Sequence, residues 1–127
     1  MLLSGEFPPR LDHEKRLYGA PGGHFEFGET FAECASRELR EELGLEVPTE
    51  DLRYLTTLNV INKAEGFHMC NIFMAARITE EQASTIRNLD VHKCQAWEWI
   101  KFDEFMQRSD VFHSFHCLAA QGFTNVR

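Results

Sequence analysis

The chain has 127 residues, of which 43% are hydrophobic, and this supports one core within a single domain spanning residues 1–127. Its formal net charge of −7 would repel the phosphates of a polynucleotide, so we exclude polynucleotides as partners. No run of residues approaches the roughly 20 apolar positions of a membrane-spanning helix, so we expect no membrane partner. If the ligand is a small anion, this acidity predicts a metal ion between protein and ligand.

The cysteines indicate a reducing compartment. They lie far apart and form no CxxC pair, at Cys34, Cys70, Cys94 and Cys117. This spacing argues against a zinc site, and a disulfide framework would be denser in so short a chain. The first residues soon reach Glu6, Pro8 and Pro9, which is not the pattern of a signal peptide. We therefore expect buried free thiols and a cytoplasmic location.

The first half of the chain predicts a loop followed by a strong helix. Residues 4–23 are rich in glycine, proline and charge and are expected to form a long loop. Thr30 is a natural N-cap, Glu33 completes a capping box, and Gly44 supplies the C-terminal stop. The apolar residues that define the buried face recur at helical spacing: Phe31, Ala35, Leu39 and Leu43.

The second half predicts strands interrupted by short helices. Residues 53–62 and 67–78 have strand composition, with 63–66 as a hairpin connection, and 93–101 alternate as a third strand. A short helix or ordered loop is expected at 79–88. The remaining predicted elements are a helical turn at 103–108 and a last helix from an Asp110 cap to about Gln121. This order favours an α/β layered domain over a helical bundle.

Three carboxylates share one face of the predicted helix. Glu38 precedes Glu41 by three residues and Glu42 by four, so the three repel one another. They also lie near the helix C-terminus, where the macrodipole disfavours anions. Taken alone, such a cluster is usually a solvated acidic face. Because it breaks local rules, it also suggests a site for a hard divalent cation, which takes oxygen ligands. Arg37 can reach back to Glu29 and is expected to tie the loop to the helix.

The spacing of these residues is a specific motif. The segment from Gly23 to Leu45 fits G-x5-E-x7-R-E-U-x-E-E-x-G-U at every defined position, where U is a bulky aliphatic residue. A chance match is rarer than about one in 10^8 per starting point. This is the Nudix box, and the chain resembles the Nudix hydrolase family. The stretches PGGHFEFGET, ECASRE and KCQAWEW look like its cytosolic, MutT-like nucleoside triphosphate diphosphatases of plants and animals.

The resemblance implies an α/β Nudix fold, in which a mixed β-sheet lies between helices and the box (23–45) forms a loop-helix-loop. The family usually opens with a strand before the aliphatic pair that Leu2 and Leu3 match, and we expect that first strand to be missing. The missing strand and the resemblance predict a homodimer. Trp97 and Trp99 would share one strand face and serve the core or a subunit contact.

The resemblance also implies roles for the matching residues. Glu38 and Glu42 would be the principal ligands of Mg2+, with Mn2+ as a substitute, and the carbonyl of Gly22 would add a ligand. Glu41 would share the metal shell or help activate water, and Glu41, Glu38 and Arg37 form the expected catalytic set. The residues expected to hold the box together are Gly23, Glu29, Arg37 and Gly44.

The implied reaction is hydrolysis of a diphosphate linkage, first of all in a nucleoside triphosphate, oxidised forms included, which yields a monophosphate and pyrophosphate. The substrate-binding residues expected are Gly23, His24, Phe112 and His113. Alternatives are a nucleotide sugar, ADP-ribose or isoprenoid diphosphate as substrate, and a non-catalytic Nudix-fold nucleotide-binding or interaction module. Gln95 stands where relatives often place a glutamate, which leaves Asp90 or Glu98 as candidate acids.

Overall fold

The computed structural model describes residues 6–7, 10–12, 17–89, 91 and 94–122. The strands in this part of the chain are β1 (Glu6–Phe7), β2 (Arg10–Asp12), β3 (Tyr18–Gly19), β4 (Leu52–Asn62), β5 (Phe67–Ala76), β6 (Cys94–Trp97) and β7 (Ile100–Lys101). The α-helices are α1 (Phe31–Leu43), α2 (Glu80–Ser84), α3 (Phe102–Met106) and α4 (His113–Ala120). In the same part of the chain, no helix is long and apolar enough to cross a membrane.

Helix α1 begins and ends at the residues that its caps predict. The Thr30 hydroxyl accepts from the Glu33 backbone N–H at 3.1 Å, and the Glu33 carboxylate accepts from the Thr30 N–H at 3.1 Å. Gly44 is left-handed (φ 66°), and its N–H donates to the Arg40 carbonyl at 2.9 Å. These local bonds fix the length of the helix and hence the position of its acidic face.

Strands β4 and β5 form a long antiparallel hairpin that lies between α1 and α4. Its register shifts between Tyr54 and Thr56. An extra residue in one strand reverses the face to which later side chains point. Leu52, before the shift, packs with the α1 side, whereas Leu58 and Val60, after it, pack with the α4 side. The bulge therefore lets one strand contribute to two cores.

Two hydrophobic cores lie on either side of this hairpin, whereas the composition predicted one. The α1-side core contains the helix residues Leu39 and Leu43 together with Leu45 and Val47, and Trp97 and Trp99 pack against it. The α4-side core is built largely from buried residues of α3, α4 and the segment between them: Phe102, Phe105, Val111, Phe115 and Leu118. Both tryptophans thus contribute to the core, one of the two roles expected for them.

Several predicted boundaries were wrong. The predicted loop 4–23 contains three short strands: β2 pairs with β3 and β6, and β1 pairs with β7. The predicted strand 93–101 is divided into β6 and β7. Asp110 does not cap α4, because Phe112 occupies that position and the Asp110 carboxylate pairs with Arg108 at 2.7 Å. Leu2 and Leu3, on which the missing-strand prediction depends, lie outside the described residues.

Every strand pair in the described part of the chain is antiparallel, and the parallel pairing there is a single bridge between Tyr18 and Val111. This bridge is closed by two backbone bonds of 2.8 Å, from the Tyr18 N–H to the Asp110 carbonyl and from the Phe112 N–H to the Tyr18 carbonyl. It brings the segment before α4 beside the strand that leads into the glycine loop.

Candidate active site

The glycine loop after β3 lies against the acidic face of α1. The Gly22 N–H donates to Oε2 of Glu42 at 3.2 Å. A Cβ on Gly23 would lie 2.5 Å from the Cδ atom and 2.7 Å from Oε2 of Glu38. Only a residue without a side chain permits this approach at position 23. The loop backbone and two of the motif carboxylates therefore meet at one place.

Arg37 joins the next part of the loop to the same helix. Its Nε and Nη2 donate to the two carboxylate oxygens of Glu29 at 2.6 and 2.9 Å, and Nη2 also donates to the His24 carbonyl at 2.9 Å. Its Nη1 donates to Glu38 at 2.9 Å and to Glu41 at 3.1 Å. Such a bidentate arginine–carboxylate pair fixes both orientation and distance. One guanidinium thus bridges the loop and two of the three helix carboxylates.

The electrostatics of this network follow from the same contacts. Hydrogen bonds from Arg37 hold the pKa of Glu29 at about 2, against an ordinary 4.5, and the Glu26 backbone N–H adds to the effect. The bonds to Glu29 and Glu38 raise the pKa of Arg37. Burial raises the pKa of the Cys34 thiol beneath the loop. Glu29 and Arg37 are therefore both charged over the whole physiological range.

The donor set fits a hard divalent cation. Glu42 is buried, with 5% of its surface exposed, and the Glu38 side chain is 13% exposed, so both offer partly desolvated oxygens. Within the described residues, the His, Cys, Asp and Glu side chains form no group of three arranged to hold a metal ion. Two of the carboxylates, those of Glu38 and Glu41, contact Arg37. A cation bound by Glu38 would therefore share this carboxylate with Arg37 or replace Arg37 on it.

The expected substrate-binding residues lie in two places. Gly23 and His24 belong to the exposed loop beside α1. The half-buried Phe112 packs so closely on Gly19 that a Cβ on Gly19 would lie 2.8 Å from Cε2 of the Phe112 ring and closer still to Cδ2. Gly22 is three Cα–Cα steps after Gly19, so the two Cα atoms are at most about 11 Å apart. Phe112 is therefore near the glycine loop.

His113 contacts a different part of the chain. Its Nε2 atom lies 2.8 Å from the Ile61 carbonyl, and its ring meets Phe67 edge-on at 6.5 Å between centroids. These contacts place His113 at the end of the β4–β5 hairpin where the turn joins the two strands. The two neighbours expected in one pocket therefore have different surroundings.

Two features of this region were not predicted from the sequence: the contacts of Tyr18 and the exposure of Phe31. The pKa of Tyr18 is raised, mainly by burial and then by the Glu98 carboxylate, which accepts a hydrogen bond from the Tyr18 hydroxyl. The Arg108 guanidinium lies 4.5 Å from the centre of the Tyr18 ring. Phe31 was expected to be buried but is 47% exposed, because it lies in the first helical turn beyond the core. Asp90 and the side chain of Gln95 lie outside the described part of the structure.

The described cysteines are free, as expected, but only Cys34 is buried: Cys70 is exposed and Cys117 half-buried, so the expected burial was wrong for these two. Cys34, Cys70 and Cys117 are free thiols, and Cys94 is outside the residues for which side chains are described. Cys34 lies 3.7 Å from Nη2 of Arg37 and 3.8 Å from the His24 carbonyl. It therefore packs beneath the loop as part of its support.

A family model, the NUDIX domain, matches residues 2–120, nearly the whole chain. The chain belongs to the Nudix family. This membership confirms the predicted family, fold class and enzyme class, the Nudix hydrolases. The match contains the glycine loop, α1 and the segment before α4.

Among sequence relatives of the Nudix chain is a prenyl-diphosphate phosphatase of Methanosarcina mazei, which is 32% identical over 76 residues. The aligned part covers 60% of this chain and 41% of that protein, so the chain spans about two fifths of the relative's length. This similarity leaves the substrate open.

Solved structures share the fold. A MutT NUDIX hydrolase from Burkholderia pseudomallei has a TM-score of 0.77 over 98% of this chain and 92% of its own, at 20% identity. An Ap4A hydrolase from C. elegans, solved as a binary complex, has a TM-score of 0.60 over 92% and 84%, at 18% identity. Identities this low show the fold alone.

Proposed function

We propose that this Nudix chain is a Mg2+-dependent hydrolase of a diphosphate linkage, acting first of all on a nucleoside triphosphate, oxidised forms included, to release a monophosphate and pyrophosphate. Mn2+ is the expected substitute metal. The observation that carries the proposal is the convergence of the Gly22–Gly23 backbone on the Glu38 and Glu42 carboxylates. A packed core does not require two buried or half-buried acids beneath an exposed glycine loop.

Each side chain of the site would have a distinct role in the reaction. Glu38 and Glu42 would hold the metal with the Gly22 carbonyl, and the bound metal would neutralise the diphosphate and acidify the attacking water. Glu41 is the most exposed of the three acids, at 54%, and is the group that would accept the proton. Arg37 keeps Glu41 and Glu38 at fixed positions relative to the loop.

The net charge of the chain defines the form of the substrate. At −7 the protein repels a free polyphosphate, so the metal complex is the form that binds. Gly23 and His24 would contact the phosphate end and Phe112 and His113 the base. The segment that carries Phe112 lies beside β3, which supports this arrangement.

A second substrate class has specific support. The similarity to a prenyl-diphosphate phosphatase favours an isoprenoid diphosphate, whose diphosphate would use the same carboxylates. Nucleotide sugars and ADP-ribose remain further alternatives, and a non-catalytic binding module would share the fold but release no phosphate. We also propose that the protein is cytoplasmic and acts as a homodimer.

The experiment is a screen for hydrolysis products over nucleoside triphosphates, a nucleotide sugar, ADP-ribose and a prenyl diphosphate, with and without Mg2+. Phosphate and pyrophosphate are assayed together with nucleoside monophosphate and sugar phosphate, because the nucleotide sugar and ADP-ribose would yield only the last two. Glu42→Gln is the matched control, because an amide oxygen can still accept from the Gly22 N–H while the charge is lost. We expect its turnover to fall more than about 100-fold, beyond what outer-shell changes usually cost. Release by the parent without Mg2+, or near-normal turnover of the variant, would contradict the proposal.

A further inference from the structure

A second group of charged side chains surrounds Tyr18 in β3. The Arg108 guanidinium lies 4.5 Å from the centre of the Tyr18 ring and donates to the two carboxylate oxygens of Asp110 at 2.8 and 2.7 Å. The Glu98 carboxylate accepts a hydrogen bond from the Tyr18 hydroxyl. We call these four residues the Tyr18 cluster. The proposed reaction assigns no role to any of them.

The backbone of the same residues holds the segment before α4 against β3. The Tyr18 N–H donates to the Asp110 carbonyl, and the Phe112 N–H donates to the Tyr18 carbonyl, each at 2.8 Å. Within the described residues this is an isolated bridge and not part of a longer ladder. A contact held by two backbone hydrogen bonds can open locally at low cost. Side chains that join the same two segments therefore decide how firmly the bridge is held.

Phe112 depends on this bridge for its position. It is the N-cap of α4, but its side chain makes no cap hydrogen bond, so the start of the helix does not fix the ring. The ring packs instead on the backbone of Gly19, where a Cβ would lie 2.8 Å from Cε2 of Phe112. Gly19 directly follows Tyr18, so a shift of Tyr18 relative to Asp110 would move the surface that supports the ring. The Tyr18 cluster therefore joins Phe112 to its support.

Arg108 is the centre of the Tyr18 cluster, because it contacts both Tyr18 and Asp110. Its backbone N–H donates to the carbonyl of the fully buried Phe105 at 3.0 Å, which anchors it to the α4-side core. A planar guanidinium can stack on a ring and bind a carboxylate through two parallel bonds, whereas the ammonium group of lysine cannot. Exposed ion pairs usually contribute little, but bidentate geometry is the exception, and these two side chains are 36% and 43% exposed. The pair therefore restrains the segment 110–112 relative to Tyr18.

We propose that Tyr18, Arg108 and Asp110 are positioning residues that hold the Phe112 ring in place for the organic group of the substrate. This inference rests on the proposed function, in which Phe112 contacts the base. The three residues act through Phe112 and Gly19 and not on the reacting atoms, which would lie at the α1 carboxylates. A ring that is less firmly held must be ordered when the substrate binds, and this cost weakens binding. The cluster should therefore control substrate affinity and leave the chemical step unchanged.

Four variants of the full chain test this role: Arg108→Met, Arg108→Lys, Tyr18→Phe and the control Tyr54→Phe. Arg108→Met keeps an unbranched side chain that can pack on the Tyr18 ring but removes the charge and the two parallel bonds. Arg108→Lys restores the charge alone. Tyr18→Phe removes the hydroxyl that donates to Glu98. Tyr54→Phe is the matched control, because it removes a tyrosine hydroxyl that lies 2.7 Å from Oγ1 of Thr57 in β4.

Kinetics with a nucleoside triphosphate and Mg2+ separate binding from chemistry. We expect Arg108→Met to raise KM about 10-fold with little change in kcat, as when a bidentate pair and a cation–π contact are lost together. Arg108→Lys and Tyr18→Phe should have smaller effects in the same direction, and Tyr54→Phe should match the parent. By calorimetry, Arg108→Met should bind the nucleoside monophosphate product more weakly and bind pyrophosphate as the parent does. A merely structural role would lower kcat and the binding of both products together.

Hydrogen exchange of the Phe112 amide, followed by NMR, tests the positioning without any substrate. It should become about 10-fold faster in Arg108→Met, because the bridge opens more readily, and stay unchanged in Tyr54→Phe. An unchanged exchange rate, an unchanged KM or an equal loss of pyrophosphate binding in Arg108→Met would overturn the inference while the parent still cleaves nucleotides. A parent that neither cleaves nor binds a nucleotide would refute the proposed function and, with it, the role in substrate binding.

Discussion

The close approach of Gly23 to Glu38 allows a test in which activity changes while the stability of the fold does not. In Gly23→Ala, the new Cβ would lie 2.5 Å from Cδ of Glu38. Carbon atoms prefer separations of about 3.5–4.0 Å, so the Glu38 carboxylate must move by about 1 Å or more. A misplacement of this size at a reacting centre can cost about 10²-fold in rate. The moved group is the end of a flexible side chain, so the fold should be little affected.

We therefore expect kcat/KM of Gly23→Ala to fall about 100-fold, with an increased requirement for Mg2+, while Tm changes little. Gly22→Ala is the matched comparison, because a Cβ there meets nothing within 4 Å and leaves the backbone carbonyl in place. Its loss should be much smaller. Kinetics at several Mg2+ concentrations and thermal unfolding of both variants are the measurements. Equal losses in the two variants, or a loss of Gly23→Ala activity fully explained by unfolding, would refute the reasoning.

The other predictions concern the ion pair, the core and the pocket. Because the pKa of Glu29 is lowered to about 2, its stabilising effect is complete above its ordinary 4.5 and disappears as the pH falls to about 2. Glu29→Gln should therefore lower Tm at pH 7, and thermal unfolding should show the difference shrinking between pH 4.5 and 2; a constant difference would exclude the pair as its cause. Phe105→Ala removes a fully buried ring that meets Phe115 edge-on at 4.9 Å, and should cost about 3–5 kcal/mol by denaturant unfolding. A cost below 1 kcal/mol would contradict this packing. His113→Trp should change the ranking of nucleotides in a kinetic panel, and an unchanged ranking would place His113 outside the pocket.

The parts of the fold that the sequence predicted well are those encoded locally. Thr30, Glu33 and Gly44 act within one turn of the helix ends, so the capping motif alone located α1. The β4–β5 hairpin is long and rich in strand-forming residues, and its composition was sufficient. The acidic face and the reach of Arg37 to Glu29 also follow from helical spacing, since both depend on one helix and the adjoining loop.

The parts that were missed depend on contacts distant in sequence. Strands of two or three residues such as β1 and β3 have no periodicity of their own and exist because β7 and β2 pair with them. The bulge after Tyr54 changes which side chains share a face, and neither alternation nor composition signals it. Phe31 follows the helical repeat of α1 but extends past the core, so its periodicity wrongly predicted burial.

The charge balance along α1 connects these local and distant effects. Arg37 contacts the carboxylates of Glu29, Glu38 and Glu41. Its Nε also lies 3.7 Å from the Glu26 carboxylate, so one positive charge is shared among four negative ones. The bidentate bond to Glu29 accounts for the architecture of the loop, and it needs neither of the helix acids. Glu38 and Glu41 therefore add repulsion that the fold alone does not require, near a helix end that disfavours anions. A divalent cation would offset that repulsion, which is the physical reason to regard the surplus of acids as a binding site.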